Sequence, residues 1–291
     1  MRSAQDAQAP AATSRFWPAA AAHAIRLRPR TVATLGIVSL VGLAAFGWPF
    51  LLTPTSTLAR VTDAPLVFAV LLVLLLSVVL AEIADGGIDA KAVAMLGVLS
   101  AVGAALRPLD TKIDKFEPMF FLLVLSGRVF GPGFGFVLGG TTLFASALVT
   151  AGVGPWLPFQ MLGAGWVGAG AGLLPPVRGR GEVALLAFYG AVAGLAYGLL
   201  LNLSFWPFTV GTGSAISFVA GDPVLDNLRR FVVFSLATSL GFDVPRAVVT
   251  AGLVALTGRP LLVALRRAAR RAAFDAPVSF GGSAGSREDQ P

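Results

Sequence analysis

With 291 residues, 56% of them hydrophobic and only 13% charged, and a mean hydropathy of +0.80, the chain has too few charges to clothe a water-facing surface. The absence of cysteine, and a single histidine, His23, in a polar arginine-bearing stretch, exclude disulfides, thiolate nucleophiles, iron–sulfur clusters and imidazole-rich metal sites. What remains is an all-α integral membrane protein whose formal net charge of +7 must find a place beside a bilayer.

Residues 1–30 form an N-terminal tail that carries Arg15, Arg26, Arg28 and Arg30 ahead of the first apolar run. Thr31 to Leu52 is charge-free and long enough to span a bilayer, and longer than the apolar core of a secretory signal. A loop with Arg60 and Asp63 leads to a second run, Pro65 to Ala81, closed by Glu82, Asp85 and Gly86-Gly87. Ala92 to Leu106 is the third run, and Gly97, Ala101 and Ala105 recur along it at four-residue intervals. Such a small-residue stripe lets two helix backbones approach closely in lipid. It suits packing within the chain or docking of a partner.

After the charged segment from Asp110 to Glu117, Pro118 to Ser126 is a short apolar stretch. Gly127 to Gly135 then reads as a tight turn, and Phe136 to Thr150 as the next span. An uncharged loop around Trp156 precedes the glycine-rich span Phe159 to Leu174. The basic turn Pro175 to Glu182 leads into Val183 to Leu201, which ends at Asn202, Phe205, Trp206, Pro207 and Phe208. The last apolar region, Phe231 to Leu256, is interrupted by Asp243, Pro245 and Arg246, which predicts either a kink or a short separate helix before a span starting near Asp243. Arg266, Arg267, Arg270 and Arg271 then interleave with leucine and alanine, a pattern suited to an anionic lipid surface.

About eight transmembrane helices result. Odd loops and tails hold fifteen of the 22 basic residues, so the positive-inside rule places both termini in the cytoplasm of a multi-pass plasma-membrane protein. The positive charge then belongs to the membrane lipid surface, and nucleic acid is not needed as a partner. The three lysines, Lys91, Lys112 and Lys115, follow no GxxxxGK[ST] frame, so the chain hydrolyses no ATP through a phosphate loop. Acidic pairs at Asp85/Asp89, Asp110/Asp114 and Asp222/Asp226 read as solvated helix ends and turns. An integral membrane enzyme acting on lipid or prenyl substrates, the alternative reading, would instead need such carboxylates to face one another.

With this topology the outer face collects Phe116, Glu117, Met119, Trp156, Phe159, Gln160, Asn202, Phe205, Trp206, Phe208, Asp243 and Arg246. Aromatic rings with a few amides and charges suit a flat, partly polar organic molecule, although tryptophan also populates membrane interfaces in its own right.

The segment Glu117-Pro118-Met119 through Gly131-Pro132-Gly133-Phe134-Gly135 to Gly139 resembles the helix, Gly-Pro turn and glycine-containing helix of substrate-specific (S) components of energy-coupling factor (ECF) vitamin transporters. Gly154 to Gln160 and the opening of the last helix from Asp243 to Arg246 are similar to actinobacterial members. The resemblance covers about residues 88 to 271. It implies a six-helix substrate-binding core at 88–271, preceded by two extra transmembrane helices at 31–87 and followed by a cytoplasmic tail at 272–291.

It further implies a non-enzymatic subunit, without cofactor or metal, that binds a vitamin at its outer end. Such a subunit delivers the vitamin by toppling against a transmembrane coupling protein (T component) driven by two cytoplasmic ATPases. By position in the family pattern, the substrate-binding residues would be Phe116, Trp156, Phe159, Gln160, Asn202, Trp206 and Asp243. Gly97, Ala101 and Ala105 would dock the coupling protein, with Gly97 departing from the family's alanine. The similarity to actinobacterial members favours cobalamin as the vitamin, with riboflavin or another heterocycle as the alternative.

Overall fold

The computed structural model describes residues 29–51, 90–108, 117–209 and 213–272, together with isolated positions at 70, 73 and 77. Nearly all of the predicted second span and of both tails, the acidic positions 82, 85, 89, 110 and 114, His23 and Phe116 lie outside the described residues. Nine helices occur among the described residues: α1 Pro29–Phe46, α2 Trp48–Leu51, α3 Ala90–Leu106, α4 Met119–Phe130, α5 Pro132–Val149, α6 Leu157–Leu173, α7 Arg180–Thr209, α8 Val224–Thr238 and α9 Leu240–Ala272.

Four of them, α1, α5, α7 and α9, are long and apolar enough to cross a membrane, and α3 and α4 are shorter apolar helices. The exterior is correspondingly greasy: Leu40 on α1, Val98 on α3, Leu148 on α5, Phe188 on α7 and Leu256 on α9 are all exposed. A continuous apolar exterior on a chain this poor in charge places the protein in a membrane.

At the centre stands α4. Its 12 residues rise only about 18 Å, and ten of them are buried. Phe120, Leu123, Val124, Leu125 and Phe130 are wholly enclosed. The turn that follows is tighter than the sequence predicts. Helix α4 continues through Gly127 and Arg128 to Phe130, and the break falls on Gly131 alone, whose φ of 93° is open to glycine, with Pro132 opening α5.

Gly127 stays helical because its missing side chain is used elsewhere: a methyl there would run into the Gly168 carbonyl of α6. Gly135 meets the same carbonyl, and Gly139 lies against the Ala164 backbone. The α5–α6 pair is accordingly the most extensive contact among the described helices. Small residues here bring backbones together, as dispersion-driven packing in lipid requires.

The contacts also fix the helix directions. Pro132 lies beside Gly172 while Gly139 lies beside Ala164, so α5 and α6 are antiparallel. Arg107 after α3, the starts of α4, α6 and α9, and the last turns of α7 gather at one end, through Arg107–Gln160, Glu117–Arg246 and Phe159–Phe205. At the opposite end Arg128 of α4, Glu182 of α7 and Arg266 of α9 meet, and the Lys91 ammonium of α3 donates to the Ala272 carbonyl at 2.9 Å.

Two further boundaries differ from the sequence reading. Helix α7 begins at Arg180 and runs 30 residues through Pro207, absorbing Asn202, Phe205 and Trp206, which the apolar run alone left in a loop. The open question about the last region is answered by a break at Ser239: α8 is a separate helix, and Asp243, Pro245 and Arg246 all lie in the first turns of α9. The basic stretch from Arg266 to Arg271 continues α9 rather than forming a helix of its own.

Candidate functional site

The end where α7 finishes and α9 begins carries a cluster of polar groups beneath an aromatic cap. Arg246, only 7% exposed, is its centre. Its Nε donates to Glu117, its Nη1 donates to Asp243 Oδ1 at 2.7 Å, and its guanidinium lies 5.4 Å from the Tyr197 ring centroid and 5.9 Å from that of Phe120. Tyr197 and Phe120 pack edge to face at 4.8 Å.

A buried guanidinium survives in such a place because two carboxylates and two ring faces replace its water. Gly198 makes the arrangement fit, since any side chain there would collide with the Asp243 carboxylate. On the neighbouring flank, Arg107 Nη2 donates to Gln160 Oε1 at 3.2 Å, tying the end of α3 to the first turn of α6. Four residues beyond Gly198, Asn202 buries its amide nitrogen without a hydrogen-bond partner among the described residues.

Above this lies the cap. Trp206 is fully buried, and its indole N–H donates to the Ile216 carbonyl at 2.7 Å. Phe50, Phe218, Phe231 and Phe234 surround it. The cap is built by four separate segments: α2, α7, the 213–223 loop and α8. Asn227 holds that loop down by exchanging hydrogen bonds with both the N–H and the C=O of Val219.

The sequence-predicted residues therefore have different settings. Gln160 and Asp243 belong to the polar cluster, and Asn202 lies on the α7 face that approaches it. Phe159, 1% exposed, is a core residue stacked edge to face on Phe46 and Phe205. Trp206 is the centre of the cap. Trp156 stands apart at 43% exposed, its N–H returned to the Gly152 carbonyl of its own loop. The stripe residues Gly97, Ala101 and Ala105 are all exposed, and nothing among the described residues comes within 4 Å of a methyl added at Gly97.

Sequence reasoning passed over Arg107, Phe120 and Tyr197, and the N-terminal aromatics Phe46, Trp48 and Phe50. A tyrosine inside an otherwise apolar span, and a Trp-Pro-Phe at the end of the first run, were the available signals.

A bundle with an apolar exterior, a polar cluster at one end and an aromatic cap above it defines a membrane-embedded helical protein. The family of ECF transporter substrate-specific components matches residues 91–257, and the chain belongs to that family. It is a substrate-binding membrane subunit of a transporter and not an enzyme, so the lipid or prenyl enzyme considered from the sequence is set aside. No curated protein and no solved structure shows a significant match to the chain.

Asp222 and Asp226 are paired with Arg230 and Arg229 rather than with each other, and no group of three or more acidic or histidine side chains that could hold a metal occurs among the described residues.

Proposed function

We propose that the chain captures a vitamin from outside the cell at the end bearing Arg246, Tyr197, Gln160, Asn202 and Asp243, and delivers it by toppling in the membrane against a T component powered by two cytoplasmic ATPases. The family match over residues 91–257 carries this reading. The opposite end supports the orientation: Lys91, Arg128, Arg178, Arg180, Arg266, Arg267, Arg270 and Arg271 lie at or beside it, the basic excess expected of a cytoplasmic face. Eight crossings with both termini inside, the second at Pro65 to Ala81, complete the proposed topology.

Cobalamin is the favoured vitamin, with riboflavin or another heterocycle as the alternative. Support comes from the resemblance to actinobacterial members and from the breadth of the aromatic cap, which gives a large ligand many ring faces to displace. Trp206 contributes to such a site only after the cap rearranges and Phe159 only if the core beside it opens, whereas Trp156, Gln160, Asn202 and Asp243 would serve it without repacking of the core.

Calorimetric titration of the purified full-length protein in lipid nanodiscs with cobalamin, riboflavin, thiamin and biotin tests the reading. One of them should bind saturably, and heat from none would defeat it. The exposed stripe supports its assignment to the coupling protein. Ala101→Leu should leave vitamin binding unchanged and abolish co-purification with a co-expressed T component. Intact co-purification would show that the stripe is not the docking face.

A further inference from the structure

Four described basic residues sit at the ligand end. Arg229 pairs with Asp226 at 3.8 Å, Arg230 with Asp222 at 2.7 Å, and Arg246 with Glu117 and Asp243. Arg107 differs: among the described residues its one hydrogen bond is to the Gln160 amide oxygen, and it pairs with no carboxylate. Glu117, at the same end, is committed to Arg246.

The hydrogen-bond inventory of the pair is one-sided. A guanidinium carries five N–H donors and no acceptor, so Gln160 must turn its oxygen toward Arg107, which leaves the two N–H bonds of its amide pointing elsewhere. Among the described residues Arg107 and Gln160 together offer unspent donors and a full positive charge, and the one acceptor between them, Gln160 Oε1, already takes Arg107. A partly desolvated patch of that kind is matched by a group that only accepts: a phosphate or a carboxylate, which a guanidinium grips through two parallel bonds.

We infer that Arg107 and Gln160 recognise an anionic oxygen group, phosphate or carboxylate, on the transported compound. The inference rests on the vitamin-binding reading above and narrows it, because it selects against vitamins that carry no anionic oxygen group. Arg246 does not compete for this role, being neutralised within the protein. Arg107 is the determinant of charge selection, and Gln160 holds it in place while adding its own donors.

The test is a set of paired ligands titrated into the full-length protein in dodecyl maltoside, a phosphate-free detergent: cobalamin against cobinamide, which lacks the phosphodiester, biotin against its methyl ester, and flavin mononucleotide against riboflavin. Within the pair that binds, the anionic member should bind more tightly. Arg107→Gln should weaken that member about 10- to 100-fold, leave the counterpart that lacks the anionic group within about twofold, and so report both folding and specificity at once. Arg107→Lys should fall between, because an ammonium cannot make the paired contact.

Equal binding of both members, equal binding by Arg107→Gln, or selective binding of thiamin or riboflavin would overturn the inference and leave the transport reading standing. Binding of nothing by the wild-type chain would overturn both. Native mass spectrometry supplies the remaining arm. Phosphatidylglycerol retained by the wild type and lost from Arg107→Gln, with vitamin affinity unchanged, would assign the anion to a lipid headgroup instead.

Discussion

Asn202 and Glu182 show how differently two polar side chains can stand inside the same bundle. Glu182, 3% exposed, receives Arg128 at 2.8 Å and Arg266 at 2.6 Å, while Arg128 also donates to the carbonyls of Leu174 and Val177. One carboxylate thereby ties α4, α7 and α9 together. Removing it strands a guanidinium that is itself only 10% exposed, so Glu182→Ala should cost about 3 kcal/mol and lower the thermal unfolding midpoint in detergent by several degrees. An unchanged midpoint would show that the triad contributes nothing to stability.

Asn202 is the reverse case, since a buried amide donor without a partner costs roughly 1–3 kcal/mol. Asn202→Leu should therefore melt at the wild-type temperature or above it while binding the vitamin more weakly. Undiminished affinity would remove Asn202 from the site. Neither setting is readable in the sequence, where Arg128 stands in a glycine-rich stretch and Glu182 closes a basic turn. Their pairing spans 54 residues. Phe159 and Trp206 were legible as aromatics near the outer loops, but position along a span does not say which way a ring faces, and both rings face inward.

Among the elements, the contacts made by glycine decide the architecture. Gly168 of α6 presents its backbone to both Gly127 of α4 and Gly135 of α5. A side chain at this single position would push against two helices at once. Gly168→Val should lose several kcal/mol, in the range of overpacked cores or more, seen as aggregation on size-exclusion chromatography. Gly97→Ala, on the open face of α3, should elute and melt like the wild type. If both variants behaved alike, the close approach of α4, α5 and α6 would be in doubt.

The spans themselves were legible because a charge-free apolar run of bilayer length is too greasy to be left in water and too long for most buried core helices. Their ends were less so. Gly127 resembles a turn glycine by composition but serves packing, and Pro207 and Pro245 lie within helices that the sequence reading ended or divided near them. Within a membrane, neighbouring groups satisfy the backbone that a proline frees, so proline punctuates less reliably there than in water.

At the scale of the whole molecule, the helices preceding the family-matched region form part of the same body. Gly42 of α1 lies against Leu162 and Trp166, the Trp166 indole donates to Ser39 Oγ at 3.0 Å, and Phe46 packs on both Phe159 and Trp166. Trp48 then donates to the Ser204 carbonyl at 2.9 Å, and Phe50 joins the cap. The sequence reading places two additional spans before the core but gives no sign of where the first one sits, because α1 has no polar stripe to aim it and is held by shape, the Trp166 N–H and, through α2, the Trp48 N–H.

The absence of cysteine makes the seat easy to test: Ser39→Cys combined with Trp166→Cys should cross-link with a short bifunctional maleimide, whereas Ile37→Cys, exposed on α1, paired with Trp166→Cys should not. Equal yields would mean that α1 does not rest on α6 in this way. The Trp48 bond also has a consequence for biosynthesis. Its two partners are 156 residues apart, so at roughly 5–20 residues per second the ribosome needs on the order of 10–30 s to supply the second after the first. The segment carrying Trp48 therefore waits for α3 to α7 to be made before this bond can form, and the cap it helps to build closes only after α8 has followed.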